Sequence, residues 1–199
     1  SEDWQEYNGG TKTAWRYSGY NLQSNMRYIV KSKAKDTAGN FGAESVVRVY
    51  TYDTNRSTAS VVYPQNNTAY RAINIVEGGH LDEPWNSTSS VKVTIYNERL
   101  NRYWRGTSWE DWDGVLSWIS TSTAGTALMV YGSTWSYNFG SVSDKQSGDR
   151  YIVVSKGYDK AGNVQENFSG NGSSVTFVYD TTAPESMITY PVSGMVNSI

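Results

Sequence analysis

Alternating apolar and polar residues predict β-strands along this chain. Val91, Val93 and Ile95 point to one side of an extended segment, while Lys92 and Thr94 point to the other. A period of two is typical of a strand with one buried face. We therefore predict that the three aliphatic side chains enter a core.

A second alternating segment begins at Tyr28. Lys31, Lys33 and Lys35 share one face of it. Since lysines favour solvent, the opposite face, with Tyr28 and Val30, is predicted to look inward. Further strands are predicted at 59–63, 72–76, 175–179 and 46–52, the last with apolar residues on both faces.

The sequence Asp-x-Ala-Gly-Asn follows a predicted strand twice, beginning at Asp36 and at Asp159. This motif predicts a turn, because Asp caps a turn through its side chain, Gly takes positive φ freely and Asn tolerates the left-handed region. Short strands separated by such turns predict an all-β protein, an antiparallel sandwich of two sheets. A short helix is compatible with the pattern only at 109–116.

An internal repeat organises the chain. Residues 28–40 and 151–163 are identical at nine of thirteen positions, at an offset of 123 (151 − 28). Further on, residues 52–54 match residues 179–181 at an offset of 127 (179 − 52), so the second copy has a longer loop. Repeats of this kind are typical of proteins built from similar units in a row.

A period near 127 residues predicts three parts. Residues 1–55 are the C-terminal part of one module, 56–182 form a complete module, and 183–199 are the first strand of a following module. We therefore expect the parent protein to be longer than this chain.

The repeated residues resemble the Ig-like tandem-repeat modules of giant bacterial surface and secreted proteins, which include adhesins. The shared pattern stands here as residues 151–153, then 159–163, then Tyr-Asp-Thr-Thr-Ala-Pro at 179–184. The resemblance implies Ig-like β-sandwich modules in tandem and an extracellular, cell-surface location. The Trp-rich stretch 103–135 looks like the insertion that some of these repeats carry. At the first boundary Asn55-Arg56 replaces Thr-x-Pro, a departure from the pattern.

Charge and composition exclude several function classes. The net charge is −2 at pH 7 with acidic and basic residues interspersed, so no basic stripe indicates nucleic-acid binding. The chain has no Cys, which removes disulfides, thiolate zinc sites and cysteine nucleophiles. No apolar run approaches the roughly 18 residues that span a membrane.

Catalytic patterns are weak. His80 is the only histidine, it has no Gly-x-Ser-x-Gly partner motif, and Gly78-Gly79-His80 is typical of a turn. Glu110, Asp111 and Asp113 form the densest acidic cluster, for which a solvated loop is the alternative to a hydrolytic carboxylate pair. We predict that the chain is not an enzyme.

Calcium is the metal that the sequence favours. Carboxylate and carbonyl oxygens are what this hard cation prefers. Asp53 and Asp180 lie at module boundaries, where an ion would stiffen the connection, and Asp82, Asp36 and Asp159 are further candidates, with Glu83 beside Asp82. Turn capping explains the repeated aspartates equally well.

Tryptophans concentrate in the predicted insertion. Trp104, Trp109 and Trp112 have Arg, Gly and acidic neighbours, which predicts partial exposure and a ligand-binding surface for glycans or for a neighbouring module. The alternative is a hydrophobic cluster that anchors the insertion on the sandwich.

Together these patterns predict a structural or adhesive segment of a large extracellular repeat protein. Its partners are neighbouring modules or copies of itself, and strand addition between copies would give a fibre. Electron microscopy of concentrated protein distinguishes such fibres from dispersed monomers. The alternative function is a carbohydrate-binding module that uses exposed Trp residues of the insertion.

Overall fold

The computed structural model describes residues 4–6, 9–10, 14–82, 88–111, 117–123, 134–170, 172–190, 194 and 197. Within these ranges the chain is all-β, with one short 3₁₀-helix at Phe139–Ser141 and no α-helix. The first strands in chain order are β1 (Gly9–Gly10), β2 (Trp15–Arg16), β3 (Met26–Val30), β4 (Arg48–Tyr52), β5 (Thr58–Tyr63), β6 (Thr68–Tyr70) and β7 (Ile75–Leu81). They are followed by β8 (Thr88–Asn97), β9 (Arg102–Trp104), β10 (Trp109–Asp111), β11 (Ile119–Ser120), β12 (Ser122–Thr123), β13 (Thr134–Asn138), β14 (Asp149–Asp159) and β15 (Ser174–Tyr179).

Two sheets form the main body of the molecule. The larger has the order β10-β9-β8-β14-β15-β6, with β11 also paired to β8, and the smaller has the order β12-β13-β7-β5. Neighbouring strands are antiparallel except β15 and β6, which run parallel. The all-β sandwich class predicted from the sequence is therefore confirmed.

The core lies between these sheets. The predicted inward face of β8 is confirmed, because Val91, Val93 and Ile95 are buried. Thr94, on the other face of β8, is also buried, so the outer side of the large sheet is covered locally. Aromatic rings fill the centre of the core, where Tyr151 stacks on Phe177 with ring centroids 5.3 Å apart.

Strands β3 and β4 form a separate two-stranded sheet that precedes this body. Its register matches that of β14 and β15: Met26 pairs with Tyr52, and Asp149 pairs with Tyr179. Tyr28 and Val30 are half-buried and Ile29 is exposed, in agreement with the predicted inward face of β3.

The turns in the two copies also match. The Asn25 N–H donates to the Tyr52 carbonyl at 2.8 Å, and the Gly148 N–H donates to the Tyr179 carbonyl at the same distance. Asn25 and Gly148 both have positive φ, 65° and 89°. The predicted module boundaries themselves stay a prediction.

Two sequence predictions are corrected. The strand predicted at 72–76 begins only at Ile75, because β6 ends at Tyr70 and residues 71–74 connect it to β7. The short helix that the pattern allowed at 109–116 does not form at its start, where Trp109–Asp111 is strand β10 paired with β9. Residues 112–116 lie outside the described residues.

Candidate metal centre

Three aspartates that are far apart in sequence meet where β4, β7 and β14 end. Asp53, Asp82 and Asp159 each offer a carboxylate oxygen, and these atoms all lie within 4.8 Å of one another. Their residues are only 8%, 7% and 4% exposed. We name these three residues the carboxylate cluster.

Asp53 directly follows β4 and is oriented by its own loop. Its Oδ1 accepts hydrogen bonds from the Asn55 N–H at 2.8 Å and from the Ser24 hydroxyl at 3.2 Å. Its Oδ2 is buried and has no hydrogen-bond partner among the described residues. A buried carboxylate oxygen without a partner is costly, so this atom is available for a ligand.

Asp159 ends β14 and is held by the Asp-x-Ala-Gly-Asn turn. The Asn163 N–H donates to its Oδ1 at 2.7 Å, and Asn163 Nδ2 donates to its Oδ2 at 2.8 Å. Gly162 has φ +96°, a conformation that glycine adopts without strain. Turn capping and membership of the cluster, which the sequence left as alternatives, therefore occur together at Asp159.

Asn163 also links the two parts of the chain. Its Nδ2 donates to the Asp53 carbonyl oxygen at 3.2 Å. Asp82, which follows β7, completes the cluster from a third direction. Sequence reasoning missed the roles of Asn163 and Ser24, although Ser24 and Ser147 stand 123 residues apart (147 − 24), the offset of the repeat.

The cluster has the chemistry of a cation site. Three buried carboxylates within a few ångströms repel one another, and a divalent cation removes that repulsion. Oxygen ligands favour hard cations, and Ca²⁺ accepts mixed carboxylate, carbonyl and water ligands in flexible geometry. Of the predicted calcium ligands, the structure brings Asp53, Asp82 and Asp159 together.

Asp36 and Asp180 do not join this cluster. Asp36 caps the first copy of the turn. The hydrogen bond from the Asn40 side chain, with that from the Asn40 N–H, holds the pKa of Asp36 below its usual value. Asp180 is exposed, and hydrogen bonds from the Thr182 N–H and the Ser147 hydroxyl lower its pKa. Glu83 lies outside the described residues.

The predicted exposure of the tryptophans is wrong for Trp104, which is 1% exposed and belongs to the core. Its indole N–H donates to the Tyr137 hydroxyl at 2.7 Å. Trp109 is half-buried and packs edge-on against Trp104, with ring centroids 5.3 Å apart. Its indole N–H donates to the Ser143 carbonyl at 2.9 Å. These contacts anchor the β9–β10 hairpin on the sandwich, and Trp112 lies outside the described residues.

The remaining candidates lie on strands. His80, predicted in a turn, is buried in β7 because Gly78 and Gly79 extend that strand, and burial lowers the pKa of its imidazole. Glu110 and Asp111 lie in β10, where they pair with Arg105 at 3.3 Å and Arg102 at 2.8 Å. Asp113 lies outside the described residues.

A comparison with models of known protein families and a search of curated proteins found no match to this chain. In the described part of the chain, no helix has the length and apolar character needed to cross a membrane.

Proposed function

We propose that this chain is a non-enzymatic structural and adhesive segment of a large extracellular repeat protein, in which calcium joins consecutive modules. The observation that carries this proposal is the composition of the carboxylate cluster. Asp53 comes from the segment 1–55, whereas Asp82 and Asp159 come from 56–182. An ion bound to all three ties the two segments together and stiffens their connection.

The matched turns support a tandem arrangement. In the first copy the Ser24 hydroxyl contacts Asp53 Oδ1 and accepts the Thr54 N–H at 2.9 Å. In the second copy the Ser147 hydroxyl contacts Asp180 Oδ1 and accepts the Thr181 N–H at 2.9 Å. Asp180 therefore stands where Asp53 stands, and we infer that it serves the next boundary in the same way.

Calcium is favoured over other cations by the donor set and by the proposed location. All three side chains are carboxylates, and among the described residues no imidazole joins them, which disfavours zinc and copper. Sites in extracellular modules bind calcium with dissociation constants on the order of 10⁻⁴ to 10⁻³ M. Assembly of copies into a fibre stays a sequence prediction.

A calorimetric titration of the chelator-treated chain with CaCl₂ tests the proposal. We expect one site, and a higher Tm in calcium, because an ion that binds only the folded state stabilises it by about 2.7 kcal/mol at 100 times its Kd. The Asp82→Asn variant should lose this response. In chelator it should melt at or above the wild-type Tm, because one of three repelling charges is gone.

Asp36→Asn is the matched control. Asp36 caps the same kind of turn as Asp159 but lies outside the carboxylate cluster, so this variant should keep the full calcium response. A wild-type chain with no heat of binding and no calcium-dependent Tm would refute the proposal. So would an equal loss of response in Asp36→Asn and Asp82→Asn.

A further inference from the structure

A groove crosses the outer face of the large sheet, on the side away from the core. Its volume is about 770 Å³, within the usual range of ligand sites, roughly 300–1,000 Å³. Thr94 of β8 and Val154 of β14, which are register partners, form part of its floor together with Ile152. These residues alternate with the core-facing positions, so the groove is separate from the sandwich interior.

Two pairs of aromatic side chains line the groove. Tyr96 and Tyr103 come from the neighbouring strands β8 and β9, with ring centroids 4.9 Å apart. Trp118 and Phe168 come from two connecting segments, with centroids 5.7 Å apart and planes tilted by 35°. All four rings are only half-buried, so each leaves part of its surface to the groove.

A buried hydroxyl among these rings lacks a partner. Thr94 is 2% exposed, and its Oγ1 has no hydrogen-bond partner in the described part of the chain. Buried hydroxyls in proteins are normally hydrogen-bonded, so an unpaired one in the groove floor needs an explanation. A bound molecule with its own hydroxyl groups supplies the missing bond.

The polar groups around the groove are neutral. Asn101 lines it and accepts a hydrogen bond from the Tyr96 hydroxyl at 2.6 Å, and Ser169 and Ser174 add further hydroxyls. None of the described lining residues is charged. Lys156, which is not a lining residue, has its Nζ 5.0 Å from the centre of the Trp118 ring and helps to hold this ring in place.

We propose that this groove binds a neutral glycan. A pyranose ring combines apolar C–H faces, which pack on aromatic rings, with uncharged hydroxyl groups that bond to threonine, serine and asparagine. A purely apolar ligand leaves the Thr94 hydroxyl unsatisfied, and a charged one finds no opposite charge in the lining. The site does not rest on the proposed structural role, and it uses Trp118 rather than Trp104 or Trp109.

Calorimetric titration of the whole chain with cellohexaose, xylohexaose and mannohexaose tests the proposal, with an oligogalacturonate as the charged comparison. We expect at least one neutral hexasaccharide to bind and the charged one not to bind. Trp118→Ala should weaken that binding at least tenfold, because a stacking surface is lost. Thr94→Val keeps the shape of the side chain and removes its hydroxyl, so it should weaken binding about 3- to 10-fold.

Two controls show whether weaker glycan binding comes from a change in the groove itself. Trp15→Ala removes an exposed tryptophan outside the groove and should bind like the wild type. Thr94→Val should melt at or above the wild-type Tm, so that weaker binding cannot come from a damaged fold. Absence of binding to all three neutral hexasaccharides overturns the proposal. Preference for the oligogalacturonate, or wild-type affinity in both groove variants, overturns it as well.

Discussion

Asp149 shows how a single buried charge organises a loop of this molecule. Its carboxylate is fully buried and accepts hydrogen bonds from both Arg99 Nε and Arg99 Nη2. The Gln146 N–H at 2.9 Å and Asn97 Nδ2 at 3.1 Å add two more. Burial alone would raise the pKa of Asp149, but these hydrogen bonds outweigh burial and hold the pKa below its ordinary value.

Replacing this carboxylate should be costly. We expect Asp149→Asn to lower the free energy of unfolding by about 3 kcal/mol at pH 7, because an amide nitrogen then faces buried donors. Because the folded pKa lies below the unfolded value of about 3.9, the stabilisation is full from about pH 5 upward and is lost as pH falls through the folded pKa. Urea titrations at several pH values measure this difference.

Asp144→Asn is the control for that experiment. Asp144 lies nearby at φ +57°, a conformation that asparagine tolerates, and its side chain contacts only the Ser143 hydroxyl among the described hydrogen bonds. Its unfolding free energy should stay within about 0.5 kcal/mol of the wild type. Equal losses in both variants would show that Asp149 is not a special buried charge.

For single residues, the sequence predicts which side chains can act as ligands better than it predicts where they lie in the fold. Asp53 and Asp159 were candidate ligands because of residue type and repeat position, Asp82 because of residue type alone, and the fold brings all three together. Asp149 carried no such signal, because Met26 stands at its place in the first copy (149 − 123 = 26). Its importance depends on Arg99, a contact across 50 residues that no local pattern encodes.

Among the elements, β7 depends on a glycine that sequence reasoning placed in a turn. Gly78 pairs with Val61 of β5 on one side and with Trp135 of β13 on the other. The indole covers the glycine, and its N–H donates to the Gly79 carbonyl at 3.0 Å. A Cβ on Gly78 would overlap the Ser60 carbonyl oxygen and lie 2.7 Å from Trp135 Cζ2.

Gly78→Ala should therefore force β5 and the Trp135 side chain apart. We expect the free energy of unfolding to fall by about 3 kcal/mol, at the upper end of the cost of overpacking. Gly79→Ala is the matched control, because the nearest atom to its added Cβ, Ser60 Oγ, is 3.8 Å away. Thermal melts of both variants measure the contrast, and a Gly79→Ala loss as large as that of Gly78→Ala would contradict this packing argument.

Elements with a regular period were predicted correctly, and irregular ones were not. The alternation at 91–95 lies within β8, and 59–63 and 175–179 lie within β5 and β15. Only residues 75–76 of β7 were predicted as strand, because its Gly78-Gly79-His80 segment has turn composition, although the strand pairs on both edges. Only packing against the Trp135 indole makes glycine favourable there.

For the whole molecule, the sequence predicts the class of fold but not the order of its strands. Sandwich architecture follows from short alternating strands and turn motifs. The order β10-β9-β8-β14-β15-β6 depends on contacts between distant residues, such as Trp104 with Tyr137, that no single segment specifies. For the same reason Trp104, predicted at a binding surface, lies in the core with Trp109 packed against it, and the groove beside Trp118 was not predicted.

The parallel pairing of β6 with β15 has a mechanical consequence. β6 lies near the start of the segment 56–182 and β15 near its end. Tension applied to the two ends acts through β5 on β6 at one side and on β15 at the other, and it pulls these parallel strands along their length in opposite senses. Their hydrogen bonds, among them Asn67 N–H to Thr176 O and Asp180 N–H to Tyr70 O, then bear the load together instead of breaking one by one.

Single-molecule pulling measures this resistance. The Asn66 side chain adds to the pairing, because its Oδ1 accepts the Thr176 N–H at 2.8 Å. We expect Asn66→Ala to lower the unfolding force, whereas Asn138→Ala, on β13 in the other sheet, should leave it unchanged. An equal force in all three proteins would mean that another pair of strands bears the load. If the Asn66→Ala variant unfolds at lower force, then each segment in a chain of such segments resists stretching through its β6–β15 pair.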